Sequence, residues 1–396
     1  MGWPHHVRLR VSATVFSRKV NGAATHALVI GVGHYPHLPG GVAKKKFPNP
    51  EGMGQLSSPP ESARAVAQWL IENYVSPSRP LASVALLTSE KAPKQFKFQP
   101  PGQAAKSVAT TMASMADIES AILDWHKLGN ANPDNLILFY FCGHGIAAGF
   151  DLSLLMSDFG QQPQAPLDGA LDFRKFHANM DECSARHQCY FIDACRTGSE
   201  LLRKNQGYAG KPVIQWTGTG TNPNGQTRRG PVFFSTLADT KAYSRPGKVS
   251  LFTDALLETL AGAGSGDETG TWEVKTARVA EALEYLMRQA SEALRMPQAQ
   301  IPSQDSFAQV PLNTLVMPSI PVWVRVEPPL VQALATLRCQ GGAINAKRAP
   351  KKEPWRLTVT PGKYSFYADF KSTNMKATPY VDEIVHPPFW AKPLKP

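Results

Sequence analysis

Two unbroken apolar runs, Leu136-Ile137-Leu138-Phe139-Tyr140-Phe141 and Cys189-Tyr190-Phe191-Ile192, limit what this chain can become. Each is too short for a typical helix and rich in aromatic residues, so each reads as a strand. Neither offers a polar face, and strands of that kind belong to mainly parallel sheets covered by helices on both sides. The surrounding chain agrees. Ala27-Leu28-Val29-Ile30-Gly31-Val32 reads as a first buried strand, followed by a Gly/Pro/Lys-rich loop from about His34 to Ser57 and a helix from near Pro59. Val84-Ala85-Leu86-Leu87 is a second strand. Ile118, Ala121, Ile122 and Trp125 fall at i, i+3, i+4 and i+7, one apolar helical face that Gly129 should stop. A hairpin around Leu152 to Met156, a helix over Phe173 to Cys183, the strand Val232-Phe233-Phe234-Ser235-Thr236, and helices near Phe252 to Leu260 and at Val279, Leu283 and Leu286 complete the alternation.

From about Pro318 the texture changes to short alternating segments: Val322 to Val326, Trp355 to Val359 and Tyr364 to Tyr367, with Thr360-Pro361-Gly362-Lys363 as a turn. The expected fold class is therefore α/β, a three-layer arrangement with a mainly parallel central sheet flanked by helices, plus a small C-terminal β-sandwich-like module. At 396 residues the chain exceeds what one hydrophobic core usually serves. We divide it into an extension over 1–24, a main domain over 25–318 and a β-rich module over 319–396, which would position partners or brace the main domain.

Both apolar runs end in groups that carry chemistry: Cys142-Gly143-His144-Gly145 after the first, Asp193-Ala194-Cys195-Arg196 after the second. In an open parallel sheet the carboxyl ends of the strands are where site residues collect, and a nucleophilic cysteine needs a nearby base to stabilise its thiolate. Taken singly, a cysteine after a strand is usually a small buried hydrophobe and a Gly-His-Gly a turn; the conjunction carries the inference. Cys142, Cys183, Cys189 and Cys339 have no matching partner motif and read as packing residues, while His177 and His187 read as surface or capping residues. Five scattered cysteines without C-x-x-C spacing argue against a disulfide framework and a zinc site, so no metal is assigned. The N-terminus has charge without an apolar block, and no stretch is long enough to span a bilayer, so a cytoplasmic protein is expected, with no membrane partner. The net charge of +11 is spread along the chain without an interleaved basic-aromatic motif, which argues against nucleic acid as a partner.

His144-Gly145 and Ala194-Cys195 resemble the paired strand-end motifs of the caspase-like cysteine peptidases. Their spacing of 51 residues (195 minus 144) agrees with the roughly fifty residues of caspases. Over about residues 25 to 315 the order of elements agrees as well. The resemblance implies a cysteine endopeptidase with Cys195 as nucleophile, His144 as general base and then acid, and the backbone N–H groups of Gly145 and Cys195 as oxyanion hole.

Caspase strings carry Gln two residues before the nucleophile and Gly two after it, whereas this chain has Asp193 and then Arg196-Thr197-Gly198. A carboxylate at 193 would repel an acidic substrate side chain and pair with a basic one. In this the chain is similar to metacaspases and the prokaryotic orthocaspases, which cut after Arg or Lys. That resemblance implies a second pocket carboxylate at the start of the helix after the first strand, where Glu61 stands. Ser58-x-x-Glu61 with Pro59 also fits a capping box, which would explain Glu61 without a pocket. Asp239 could line the same cleft. The long loop from Thr197 to Gly230 contains Arg228-Arg229-Gly230, so cleavage near Arg228 or Arg229 would turn a zymogen into active enzyme, with Lys44-Lys45-Lys46 as another exposed target. Implied partners are protein or peptide substrates with exposed Arg or Lys and an upstream activator, in a setting such as bacterial defence. No cofactor is expected. Calcium activation occurs among such relatives, yet no ligand set can be matched here. The alternatives are a caspase-like peptidase with non-basic specificity and a catalytically silent scaffold acting through its C-terminal module.

Overall fold

The structure, a computed structural model, describes residues 12–218, 230–237, 246–268, 270–294, 296, 299–305, 308–370 and 375–395. Two compact units divide the chain, residues 1–250 and 251–396.

In the first unit, β1 (Thr14–Ser17) edges a sheet built on β2 (Thr25–Val32), β3 (Leu81–Ser89), β4 (Leu136–Gly143), β7 (His187–Ala194) and β9 (Val232–Phe234), in the spatial order β1-β3-β2-β4-β7-β9. All neighbours are parallel except β1 and β3. The chain passes from β2 to β3 on one side and then returns to β4 on the other, so a crevice opens beyond the carboxyl ends of β2 and β4. Helix α1 (Ser58–Asn73) packs along β2 and β3, with α2 (Met115–Asn130) also against β2. Residues of β2 and β4 are buried throughout, which accounts for their lack of alternation. Leu28, Ile30, Phe139, Phe141, Tyr190 and Ile192 join Ile118, Ile122 and Trp125 of α2 in one core. Trp125 also donates from Nε1 to the carbonyl of His26 at 3.1 Å, so truncating it would open a cavity and orphan an acceptor, a loss of about 3–5 kcal/mol.

On the opposite face α1 rides close to β2: a Cβ at Gly31 would stand 2.6 Å from that of Ala63. Helix α1 does not form the expected capping box. Ser57 makes no side-chain cap; its Oγ accepts from Gly247 N at 2.9 Å, and Ser58 Oγ donates to Lys248 O at 2.6 Å. Gly129 does not stop α2 but lies inside it, where a Cβ would come within 3.0 Å of Cys183 Sγ; close packing, not a C-cap, requires the glycine. The hairpin pairs β5 (Gly145–Ala148) with β6 (Asp151–Leu155), so the expected stretch is only its second arm. After it, α3 (Phe173–Asn179) gives way to a 3₁₀ turn at Met180–Glu182. His177 is buried, contrary to the surface or capping expectation. Phe173 and Tyr190 flank its ring, and Nε2 donates to Gly230 O at 3.0 Å.

The second unit contains α5 (Leu251–Glu258), α6 (Thr276–Ala293) and the β-rich stretch. There β10 (Ile320–Val326) pairs with β13 (Trp355–Val359) and with β16 (Pro393–Leu394). A second sheet runs β12 (Ile344–Arg348), β11 (Ala335–Gly341), β14 (Gly362–Phe370), β15 (Tyr380–Val385). Val322, Val324, Leu337, Cys339 and Phe366 from the two sheets share one core with Trp390. Among the described residues, no helix is long and apolar enough to cross a membrane.

Candidate active site

Strands β4 and β7 run in register from Leu136↔His187 to Gly143↔Ala194. Beyond them, β5 pairs in parallel with β8 (Thr197–Gly198) through Ile146↔Thr197 and Ala147↔Gly198. The offset is therefore the same before and after the gap, and His144 lies opposite Cys195. The two segments are packed tightly there: a Cβ at Gly145 would be 2.5 Å from Cys195 O and 3.1 Å from the Ala194 Cβ. Only glycine lets the main chain approach so near. Cys195 is partly exposed, whereas Cys142, Cys183, Cys189 and Cys339 are buried.

His144 is held from several sides. Its Nε2 lies 2.8 Å from Gly54 O, and since a carbonyl only accepts, Nε2 carries the proton and Nδ1 is left as an acceptor. Burial lowers the pKa of His144 below the usual histidine value, with the Gly54 carbonyl pulling the other way. The result is an imidazole that stays neutral near pH 7 and can take a proton at Nδ1. The main-chain N–H of His144 donates to Tyr35 Oη at 2.8 Å, and the two rings are 4.9 Å apart. The loop that supplies Gly54 also reaches the chain after Cys195: Glu51 Oε1 accepts from Leu201 N at 2.9 Å, at the start of α4 (Glu200–Lys204). Arg196 lays its guanidinium over the Phe234 ring at 4.3 Å.

The register Gly31↔Cys142↔Asp193 sets three residues in a row at the strand ends on the α1 face. Asp193 is buried, 4% exposed. Its Oδ2 accepts from Cys142 Sγ at 3.4 Å and from Ser250 Oγ. Burial, and then the neighbouring Asp193, push the Cys142 thiol well above its ordinary pKa, so it remains a protonated donor. Ser250 N in turn donates to Ser62 Oγ at 3.0 Å. Together with the bonds from Ser57 and Ser58, this straps residues 247–250 across the start of α1 and over Asp193. Glu61 is engaged elsewhere, by Lys94 at 2.6 Å and Arg64 at 3.0 Å. Partial burial raises its pKa, but those two cations more than offset it and the carboxyl titrates lower than usual. Asp239, Arg228 and Arg229 lie outside the described residues. Among the described residues no group of three or more His, Cys, Asp or Glu could hold a metal ion.

Sequence reasoning missed Tyr35, Gly54, Gln55, Ser62 and Ser250. Tyr35 follows the first strand within three residues, a place that could have flagged it. Gly54 acts through a carbonyl that every residue has, and Ser250 lies far along the chain, so neither leaves a local signal.

A family model described as "Caspase domain" matches residues 24–313. A protein of Sinorhizobium fredii (strain NBRC 101917 / NGR234), "Uncharacterized protein y4kE", is 29% identical over 237 residues, 54% of this chain. The chain spans 61% of the length of that relative. Among solved structures, "Crystal Structure of Caspase-1 from Spodoptera frugiperda" aligns with 75% of this chain and 94% of its own at 14% identity and a TM-score of 0.39.

Proposed function

As the chain belongs to the caspase-domain family of peptidases, we propose that it is a cysteine endopeptidase that cuts protein substrates after Arg or Lys with Cys195 and His144 as its dyad. The observation that supports this reading is the common offset of the two parallel pairings, Gly143↔Ala194 before and Ile146↔Thr197 after, which bracket His144 and Cys195 at two adjacent strand ends. His144 Nδ1 takes the thiol proton, and the Cys195 sulfur attacks the scissile carbonyl. The N–H groups of Gly145 and Cys195 receive the oxyanion. As the carbon–nitrogen bond breaks, His144 returns its proton to the leaving amine, and water then hydrolyses the thioester with His144 again as base. No metal or cofactor has a role in this scheme.

Asp193 supplies the preference for a basic side chain before the cut. Because Ser250 covers it, substrate entry on this reading requires the 247–250 strap to shift. The test is fluorophore release from Arg, Lys and Asp peptides by wild type and Cys195→Ala. Cleavage after Arg and Lys that disappears in the variant is the expected result. Activity surviving in Cys195→Ala would remove the dyad, and selective cleavage after Asp would remove the role of Asp193.

A further inference from the structure

A tyrosine hydroxyl in an apolar core needs a reason, because a phenylalanine would fill the same volume without a polar group to satisfy. Tyr35 is fully buried, among Leu38, Phe47 and Phe141. Its hydroxyl accepts from His144 N at 2.8 Å and donates to Leu155 O at 3.3 Å, while Leu155 N donates to His144 O at 3.0 Å. The three residues close a ring of hydrogen bonds in which both ends of the His144 main chain are fixed. Gly143 leaves the space: a Cβ there would come within 3.0 Å of Tyr35 Oη. Tyr35 is itself held at both main-chain atoms by one side chain, Gln55, whose Oε1 accepts from Tyr35 N and whose Nε2 donates to Tyr35 O, each at 2.9 Å. The neighbouring residue, Gly54, is the one that holds the imidazole.

We propose that Tyr35, clamped by Gln55, is a positioning residue for His144: its hydroxyl sets the histidine main chain, and so the direction in which Nδ1 faces Cys195. The proposal rests on the peptidase reading above. Its hydroxyl acts through the His144 main chain, and its ring packs against the imidazole at 4.9 Å. Burial pushes the phenol pKa far up, so the group stays a neutral donor at any working pH.

Tyr35→Phe keeps the ring and deletes the bond. Losing one acceptor for a buried N–H should lower kcat about tenfold with KM within about twofold. A loosened, wetter His144 regains part of its ordinary basicity, so the acid limb of kcat/KM should move to higher pH. Thermal melts report folding, and Gln55→Ala, which frees the Tyr35 main chain, provides a second variant with the same expected direction. The rate at which iodoacetamide alkylates Cys195 is measured for wild type, Tyr35→Phe, His144→Ala and the double variant; the double variant should match His144→Ala. A folded Tyr35→Phe with wild-type kcat and pH profile, or one that slows alkylation equally with and without His144, would overturn the proposal. Cys195→Ala that still cleaves would instead overturn the peptidase reading, and the proposal with it.

Discussion

Gly145 faces the carbonyl oxygen of Cys195 so closely that a methyl group on its Cα would stand 2.5 Å away. That separation is shorter than non-bonded carbon and oxygen tolerate, and the obstacle is backbone, so one strand end must yield. Gly145→Ala should therefore fold but pull the Gly145 N–H off its target. Removing one oxyanion donor typically lowers turnover about 100- to 1000-fold, and kcat on an Arg peptide should fall in that range. A variant with near-normal kcat would take the Gly145 amide out of the proposed mechanism.

Asp193 is covered by Ser250, and the covering strap is fastened to α1 by Ser57, Ser58 and Ser62. If the carboxylate receives a basic side chain, two opposite effects should follow. Asp193→Asn removes the charge and should reduce kcat/KM on Arg and Lys peptides by about 100-fold, with a smaller loss on an uncharged analogue. Ser250→Ala removes the hydroxyl donor to Asp193 Oδ2, leaving the weaker Cys142 thiol there, and loosens the strap, so KM on the Arg peptide should drop by about threefold or more. Steady-state kinetics on matched peptides reads both. A rise in KM for Ser250→Ala would mean that the strap builds the pocket instead of closing it.

The pH dependence follows from His144, whose pKa is lowered mainly by burial. The base is active when neutral, and a lowered pKa keeps it neutral further into acid. The acid limb of kcat/KM should then lie below the ordinary histidine value of 6.5. Stability should follow the same sign. His26 is likewise lowered by burial, and a histidine that resists protonation when folded binds fewer protons than when unfolded. Its contribution is complete above pH 6.5 and is lost as pH falls through the lower folded value, so melting temperature should decline from neutral pH toward pH 5. An acid limb above 6.5 would show that His144 is open to water in the working enzyme.

The sheet was legible because β2, β4 and β7 are buried on both faces, and burial on both faces erases alternation in favour of continuous apolar runs. The strand-end motifs fall at corresponding positions for a related reason: parallel register carries one sequence offset from β4 and β7 into β5 and β8, on either side of His144 and Cys195. What stayed hidden involves long separations or generic groups. Gly54 contributes a carbonyl, Ser250 reaches Asp193 across 57 positions, and Tyr35 reaches His144 across 109. The capping box at Ser58 was a sound local pattern that lost to a tertiary demand, since the 247–248 segment uses the hydroxyls the helix end would have used. The short strands β12 and β15 were missed because they bury little: β12 alternates half-buried and exposed residues with none fully buried, and β15 buries only Val385, so neither shows a strong apolar run.

The five cysteines offer a test that needs no substrate. Cys195 alone is partly exposed, and the other four are buried. Burial also raises the thiols of Cys142 and Cys189 well above the ordinary range and that of Cys339 to about 11. Reaction with iodoacetamide requires both access and thiolate; the four buried residues lack access, and Cys142, Cys189 and Cys339 are also held protonated at pH 7.5. Intact-mass analysis of the native protein after brief alkylation should show a single adduct, absent from Cys195→Ala, whereas full denaturation should expose all five sites. Cys142 sharpens the result because it lies under the same strap as Asp193. A second native adduct on Cys142 would mean that residues 247–250 lift spontaneously. Its appearance in Ser250→Ala but not in wild type would tie that opening to the Ser250 hydroxyl.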